Sequence, residues 1–207
     1  MEDILEVYKR PYDASRPVVC MDEKPYQLLF HGREPIPMGE GNPVAKDDYE
    51  YVRNGTSSIF LFVEPLAPWR RAEALERRTR IDWAEQVKVL LTAGCPDAEK
   101  VALAAGNLNT HNIASLYQAF PAQEALGYAK RLEIHYTPKH GSWLDIAETG
   151  LSVMARQCLS RRIGDMESLN IELDAWQERR NAEGRSVDWT FTTEDARVRL
   201  RRLYPLV

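Results

Sequence analysis

The sequence predicts an α/β fold with a mixed five-stranded sheet and flanking helices. Short apolar segments rich in β-branched residues, typical of buried strands, come first. Segments with helical spacing of apolar residues then alternate with further strands. The predicted order is strand, strand, strand, helix, strand, helix, strand, helix. This order describes an antiparallel meander that continues into β–α–β units, which is an α/β pattern.

Three strands are predicted in the first third of the chain. Residues 18–21 (VVCM) form an apolar run that predicts a buried strand, and residues 27–31 predict a second one. Residues 33–48 are rich in proline and glycine and predict a loop. The Asn-Gly pair at 54–55 is a turn signal, and the apolar run at 58–63 (SIFLFV) predicts the third strand after it.

Helices and strands alternate in the rest of the chain. Ile81, Ala84 and Val87 lie at helical spacing and predict a helix over 81–93, for which Thr79 or a neighbouring residue is a candidate cap. The further predicted elements are a strand at 100–105, helical structure at 112–131 with a break at Pro121, a strand at 132–136, a long helix from 142, a helix at 166–183 and a short basic helix within 189–204. This is the element order of the ribonuclease-H-like fold, although one fold can host unrelated functions.

Length and composition exclude several classes of protein. The 207 residues suffice for one domain with a sizeable core. Because no apolar run approaches the ~18 residues of a membrane span, we expect no membrane segment and a cytoplasmic location. Three widely spaced cysteines without a CxxC pair argue against a disulfide framework and a zinc site. The net charge of −4 excludes a generic basic DNA-coating protein, but local arginine clusters leave a DNA enzyme open.

Polar residues stand at the three places that converge in such a fold. Asp22 ends the first strand, and the segment 106–111 (GNLNTH) follows the fourth. Asp145 and Glu148 lie near the start of a late helix, on one face. Phosphodiester cleavage needs a deprotonated nucleophile and a stabilised leaving oxygen, and divalent ions held by carboxylates supply both. By themselves these acids are weak evidence, because the chain has 31 acidic residues.

Four segments of the sequence strengthen the case that these acids are functional. They are VVCMDEK (18–24), DYEYVRNGT (48–56), GNLNTH (106–111) and IHYTPKHGSWLDIAE (134–148). Together they resemble the DDE-superfamily transposases of bacterial insertion sequences, and in particular the mariner-related insertion-sequence-630 family. The resemblance runs over essentially the whole chain, and the last two motifs are specific. It implies a ribonuclease-H-like catalytic domain that cuts transposon ends and joins them to target DNA with two Mg²⁺ or Mn²⁺ ions.

The resemblance assigns roles to individual residues. Asp22 matches the family's first catalytic aspartate and Glu148 its glutamate, so both are expected to be catalytic residues and metal ligands. The family's second motif begins Asp-Asn, whereas here Gly106 stands before Asn107. The second carboxylate is therefore missing, because glycine has no side-chain ligand atom. Asp145 replaces the asparagine of the family's Ser-Trp-Leu-Asn segment.

Three hypotheses follow from the missing carboxylate. The first is an inactive or decayed transposase domain in which Gly106 marks the vacated catalytic position. The second is a site rescued by Asp145, and the third is a retained DNA-binding or regulatory role without cutting. Asn107, Asp145 and His111 are the auxiliary candidates. His111 either orients a metal-bound acid or water without touching the metal, or takes part in a helix cap.

The resemblance also implies partners. DNA, as transposon ends and target, is the expected partner, and a homodimer is expected because transposases of this kind act on paired ends. The candidate DNA-contacting residues are Lys24, Lys139, His140 and Trp143. Stacking on DNA and packing in the core are alternatives for Trp143.

The expected division of the chain has three parts. Residues 1–17 are an N-terminal helix and connector, residues 18–163 the ribonuclease-H-like catalytic domain, and residues 164–207 a C-terminal helical extension. Asp22 lies only about twenty residues from the first residue. The N-terminal helix-turn-helix region typical of the family is therefore expected to be absent from this chain.

Overall fold

A computed structural model of the protein describes residues 1–40, 43–46, 48–138 and 141–204, apart from the side chains of Ser142 and Leu203. The strands are β1 (Val18–His31), β2 (Tyr51–Glu64), β3 (Trp69–Leu75), β4 (Val101–Ala105) and β5 (Leu132–Tyr136). The α-helices are α1 (Glu2–Tyr8), α2 (Arg80–Val89), α3 (Ile113–Ala119), α4 (Ala122–Lys130), α5 (Ile146–Gln157), α6 (Met166–Ala182) and α7 (Thr193–Arg199). Among the described residues, no helix is long and apolar enough to cross a membrane.

The strands form one sheet in the order β3-β2-β1-β4-β5. β1, β2 and β3 are antiparallel neighbours, whereas β4 is parallel to β1 and β5 is parallel to β4. Parallel neighbours need crossover connections, and α2 precedes β4 while α3 and α4 join β4 to β5. The predicted α/β fold with a mixed five-stranded sheet and flanking helices is therefore confirmed.

The meander differs from the prediction in where its strands begin and end. Residues 18–21 and 27–31 are not two strands but the two ends of β1, which pairs with β2 from Cys20 to His31 with one register shift. The predicted turn at 54–55 is also wrong, because both residues lie inside β2. Gly55 has a φ of +88°, opposite an irregular register in β1. The Asn-Gly pair therefore bends a long strand instead of ending one.

The sequence does not predict β3, because charged residues interrupt its apolar ones. In the structure alternate residues of β3 are buried, and Ala72 and Ala74 pack against α6. Arg70 is buried beneath this helix, where its guanidinium donates to the carbonyl oxygens of Arg180 and Arg185 at 3.0 and 3.1 Å. The covering helix therefore shields the edge strand β3 and helps to supply hydrogen-bond acceptors for its buried arginine.

Side chains of the sheet alternate between two faces, and each face has its own core. The front face is the one covered by α2, α3 and α4, and the back face is the one covered by α1, α5, α6 and α7. Met21 belongs to the front core and Cys20 to the back core. The alternation along β1 therefore directs Asp22 to the back face and Glu23 to the front face.

Several helix ends follow local sequence signals. Thr79 caps α2 in a capping box with Asp82, as its side chain predicts, and a π-helical turn at Leu90–Gly94 ends that helical segment. Pro121 separates α3 from α4. The long helix predicted from residue 142 begins instead with a 3₁₀ turn, and α5 proper starts at Ile146.

Two helical glycines test how closely α5 packs on the sheet. A Cβ at Gly150 in α5 would lie 2.8 Å from Leu61 Cδ2 and 3.2 Å from Val63 Cγ2, whereas a Cβ at Gly127 in α4 would meet nothing within 4 Å. We expect Gly127→Ala to raise the free energy of unfolding by about 0.5–1 kcal/mol, because alanine loses less backbone entropy in a helix. Gly150→Ala is expected to lower it by roughly 1–3 kcal/mol through overpacking. Urea denaturation measures both values, and equal effects would contradict the close packing of α5.

Candidate metal and nucleic-acid site

Asp22 and position 106 lie side by side because β1 and β4 are parallel neighbours. The register pairs Met21 with Ala105, so the next residues, Asp22 and Gly106, are adjacent across the two strands. Neighbouring strands are about 4.8 Å apart. A Cβ built on Gly106 would meet nothing within 4 Å. The fold therefore leaves room for a side chain at position 106, directly beside Asp22.

Glu148 approaches Asp22 from the first turn of α5. That helix packs on the back face against β1 and β2, and both carboxylates line an open cleft together with Lys24 and Ser152. Burial raises the pKa of Asp22. The hydrogen bond that its Oδ1 accepts from Glu23 N at 2.8 Å opposes this rise in pKa, and the Glu148 carboxylate adds to it. Two acids that repel each other in this way form a site that a cation would stabilise.

Asp145 lies near the pair as the N-cap of α5. Its Oδ1 accepts a hydrogen bond from Ala147 N at 2.9 Å, and the residue is only 3% exposed. Burial raises the pKa of Asp145 well above its ordinary value, and the Asp22 carboxylate adds to the shift. The carboxyl group of Asp145 is therefore committed to the helix terminus and favours its neutral form.

A second polar cluster lies on the front face, behind Asp22. His111 Nε2 is 3.0 Å from Glu23 Oε1, and His111 Nδ1 is 2.9 Å from Gly106 O. Both side chains are buried, and Trp83 stacks on the imidazole with ring centroids 5.8 Å apart. Glu23 Oε1 and Gly106 O thus lie within hydrogen-bonding distance of the two ring nitrogens, one on each side of the imidazole. The imidazole thereby ties the segment after β4 to β1.

The comparison with protein families decides what kind of domain this is. Residues 17–170 match the family model described as DDE superfamily endonuclease. The chain belongs to this family. The match includes all five strands and the helix that carries Glu148.

Solved structures of the Mos1 transposase share the fold of this DDE endonuclease domain. The Mos1 mariner paired-end complex with Mn has a TM-score of 0.55 at 17% identity and covers 85% of this chain and 52% of that chain. The paired-end complex with the left transposon end has a TM-score of 0.56 at 18% identity, with 86% and 54% covered. The chain therefore spans about half the length of the Mos1 chains. No curated protein sequence matches it.

The remaining sequence candidates of the DDE endonuclease domain differ in their exposure and contacts. Lys24 lines it, and Asn107 is exposed. Trp143 is 46% exposed and meets the ring of Phe191 edge-on, with centroids 5.5 Å apart. Part of the Trp143 ring is therefore packed and part is open to solvent. Two candidates, Lys139 and His140, lie outside the described residues.

The structure also shows a residue that sequence reasoning left without a role. Strand alternation places Glu23 on the face of the sheet opposite to that of Asp22. The partner of Glu23, His111, is 88 positions away, so no local signal in the sequence connects Glu23 with His111. Helix α3 is capped by Asn112, whose side chain accepts from Ser115 N at 3.2 Å, and not by His111. His111 is instead the contact between Glu23 and the backbone at Gly106.

The donor set of the cleft suits one divalent ion. Asp22 and Glu148 offer the hard carboxylate oxygens that Mg²⁺ and Mn²⁺ take, and an open cleft admits water and phosphate as further ligands. In the described part of the chain, no group of three or more His, Cys, Asp or Glu side chains is arranged to hold a metal ion. The two carboxylates that line the cleft are therefore the acids available to a divalent ion there.

Asp145→Asn separates the helix cap from the buried charge, because asparagine caps helices as well as aspartate does. A raised pKa means that folded Asp145 keeps a proton which the unfolded chain releases, so its ionised form costs stability as the pH rises above the unfolded pKa. We expect the variant to melt at a higher temperature than the wild type near neutral pH, with the difference vanishing towards about pH 4. Thermal denaturation across this range checks it, and a pH-independent difference would contradict it.

His111→Ala is expected to lower the free energy of unfolding by about 3 kcal/mol, because it leaves the buried Glu23 Oε1 without its hydrogen-bond partner while Arg78 stays 3.8 Å from Oε2. His135 is a matched control: its ring nitrogens lie 2.8 Å from oxygens of Asp3 and Glu133, but those carboxylates are 63% and 33% exposed. Water replaces the lost partner there, so His135→Ala should cost about 1 kcal/mol or less. Denaturant titration of both variants gives the comparison. Similar losses would mean that Glu23 does not depend on His111.

Proposed function

We propose that this DDE endonuclease domain is a transposase catalytic domain whose metal site is incomplete, so that it binds DNA without cutting or joining it efficiently. The reaction for which the site is built is metal-dependent cleavage and transfer of DNA strands. The observation that carries the proposal is the adjacency of Asp22 and Gly106 at the paired ends of two strands, with Glu148 facing the same cleft as Asp22.

The surroundings of position 106 support a missing ligand. The position is next to Asp22 across the sheet, a Cβ there would meet nothing within 4 Å, and its carbonyl oxygen is held by His111 at 2.9 Å. A backbone position that is fixed, open and adjacent to an acid suits a further carboxylate. Glycine offers no side-chain ligand atom, so this position lacks the donor that a carboxylate would supply.

Each remaining residue has a definite part in the proposed reaction. A bound Mg²⁺ or Mn²⁺ would lower the pKa of the attacking oxygen and stabilise the leaving oxygen. Asp22 and Glu148 would hold that ion through their carboxylates, and Lys24 in the same cleft would offset phosphate charge. Without a donor at position 106 the reacting groups are less well held, and a misplacement of about 1 Å can cost about 10²-fold in rate.

Rescue of the site by Asp145 is the competing hypothesis for catalysis. Its carboxyl group caps α5 and favours the neutral form, as described above. To serve as a ligand, Asp145 would have to leave the cap and ionise in a buried place, and both changes cost free energy. These contacts favour an incomplete site over a rescued one.

A DNA-binding or regulatory role without cutting is the alternative function, and it needs only the DNA surface of the fold. The Mos1 neighbour with a left transposon end is a complex with transposon DNA, which supports DNA as the proposed partner here. The homodimer, and the division of the chain into a connector, a catalytic domain and a C-terminal extension, stay predictions.

Gly106→Asp tests the proposal directly. We expect it to raise Mn²⁺ affinity by about tenfold or more, because a third carboxylate completes the donor set. We also expect Mn²⁺-dependent nicking of supercoiled plasmid by the variant, with none by the wild type. Calorimetric titration measures the affinity, and gel electrophoresis measures the nicking.

Two controls accompany this variant. Gly127→Asp adds the same charge at an exposed glycine of α4 with open space at its Cβ, and it should leave Mn²⁺ affinity unchanged. Gly106→Asp/Glu148→Gln should lose what Gly106→Asp gains. Efficient nicking by the wild type would contradict the incomplete site, and no gain of affinity in Gly106→Asp would contradict the role assigned to position 106.

A further inference from the structure

A basic surface lies in the segment that joins β3 to α2. Arg77, Arg78 and Arg80 are exposed there. The segment borders an open groove, named here the arginine groove, which is lined by Arg77, Thr79, Arg80, Ile81, Asp82 and Gln118. The whole chain has a net charge of −4, so this concentration of positive charge is a local feature of the surface.

The arginine groove lies at the same edge of the sheet as the candidate metal site. β3 and β1 are both antiparallel to β2, so they run in the same direction and the segment after β3 leaves the sheet at this edge. Arg78 Nη1 lies 3.8 Å from Glu23 Oε2, and Glu23 directly follows Asp22. The basic segment therefore passes next to the residue that adjoins the candidate ligand, on the front side of the edge.

The cations of the groove are available to an anion. Within the described part of the chain, the ion pair of Arg78 with Glu23 is the one that involves this segment, and neither Arg77 nor Arg80 forms one. The acid that lines the groove is Asp82, whose carboxylate accepts a hydrogen bond from Thr79 N at 2.6 Å and is engaged in the cap of α2. Two exposed guanidinium groups are thus left facing solvent.

We propose that the arginine groove binds the phosphate backbone of the DNA that reaches the Asp22–Glu148 cleft, with Arg77 and Arg80 as the phosphate contacts. The inference rests on DNA being the partner under the proposed function, and it names the surface that would hold this DNA. A guanidinium group matches two phosphate oxygens at once. Contacts of this kind fix the position of a DNA strand without reading its sequence, which suits a surface beside a site that acts on the sugar–phosphate backbone.

The variant Arg77→Ala/Arg80→Ala tests the groove. A short fluorescein-labelled DNA duplex is titrated with protein in EDTA at several salt concentrations, and anisotropy gives the affinity. We expect weaker binding, and a dependence of log K on log salt that is shallower by about 2, since each phosphate contact contributes about 0.9. Arg78 is kept because it contacts Glu23.

The matched control is Arg16→Ala/Lys100→Ala, which removes two cations from the opposite edge of the sheet, ahead of β1 and β4. It changes the net charge equally, and we expect wild-type affinity and salt dependence. Arg77→Lys/Arg80→Lys keeps the charge and should keep most of the salt dependence. Melting curves should be unchanged, because the substituted side chains of the groove are exposed.

The possible outcomes distinguish a failure of the arginine groove from a failure of the proposed function. Wild-type affinity and salt dependence in Arg77→Ala/Arg80→Ala would overturn the groove alone. Equal losses in the groove variant and the control would also overturn it, because total charge would then explain the binding. No DNA binding by the wild type at any salt concentration would contradict DNA as the partner, and with it both the proposed function and the groove.

Discussion

The parallel pairing of β1 with β4 is the contact on which the site depends. It brings Asp22 beside Gly106, although the meander and α2 separate them in the chain. α5 then packs across the back face and delivers Glu148 to the same cleft. A slip of β4 by one residue would turn every one of its side chains to the other face, and position 106 would no longer neighbour Asp22.

Gathering carboxylates at one edge of the sheet has an electrostatic cost. Burial and mutual repulsion raise the pKa of Asp22 and, more strongly, that of Asp145. Glycine at position 106 adds no negative charge to this cluster. The cluster is therefore spared the repulsion that a further carboxylate would add.

Two consecutive residues of β1 take part in different sites on the two faces of the sheet. Asp22 faces the cleft on the back, and Glu23 is buried on the front, where it contacts His111 and Arg78. Through His111 it holds the backbone at Gly106, and through Arg78 it borders the arginine groove. The candidate metal site and the basic surface are thus connected through one strand.

The sequence by itself determined the α/β class, a helix cap at or next to Thr79, the break at Pro121 and the candidate set of acids. These follow from local periodicity, local capping signals and motifs that resemble a known family. It did not determine β3, the continuity of β1 or the bend at Gly55, because these depend on pairing and cover by distant elements. Only the tertiary structure decided that Asp145 caps a helix and that Glu23 has a buried partner. The contacts of these two side chains depend on the packing of elements that are far apart in sequence, which local patterns do not specify.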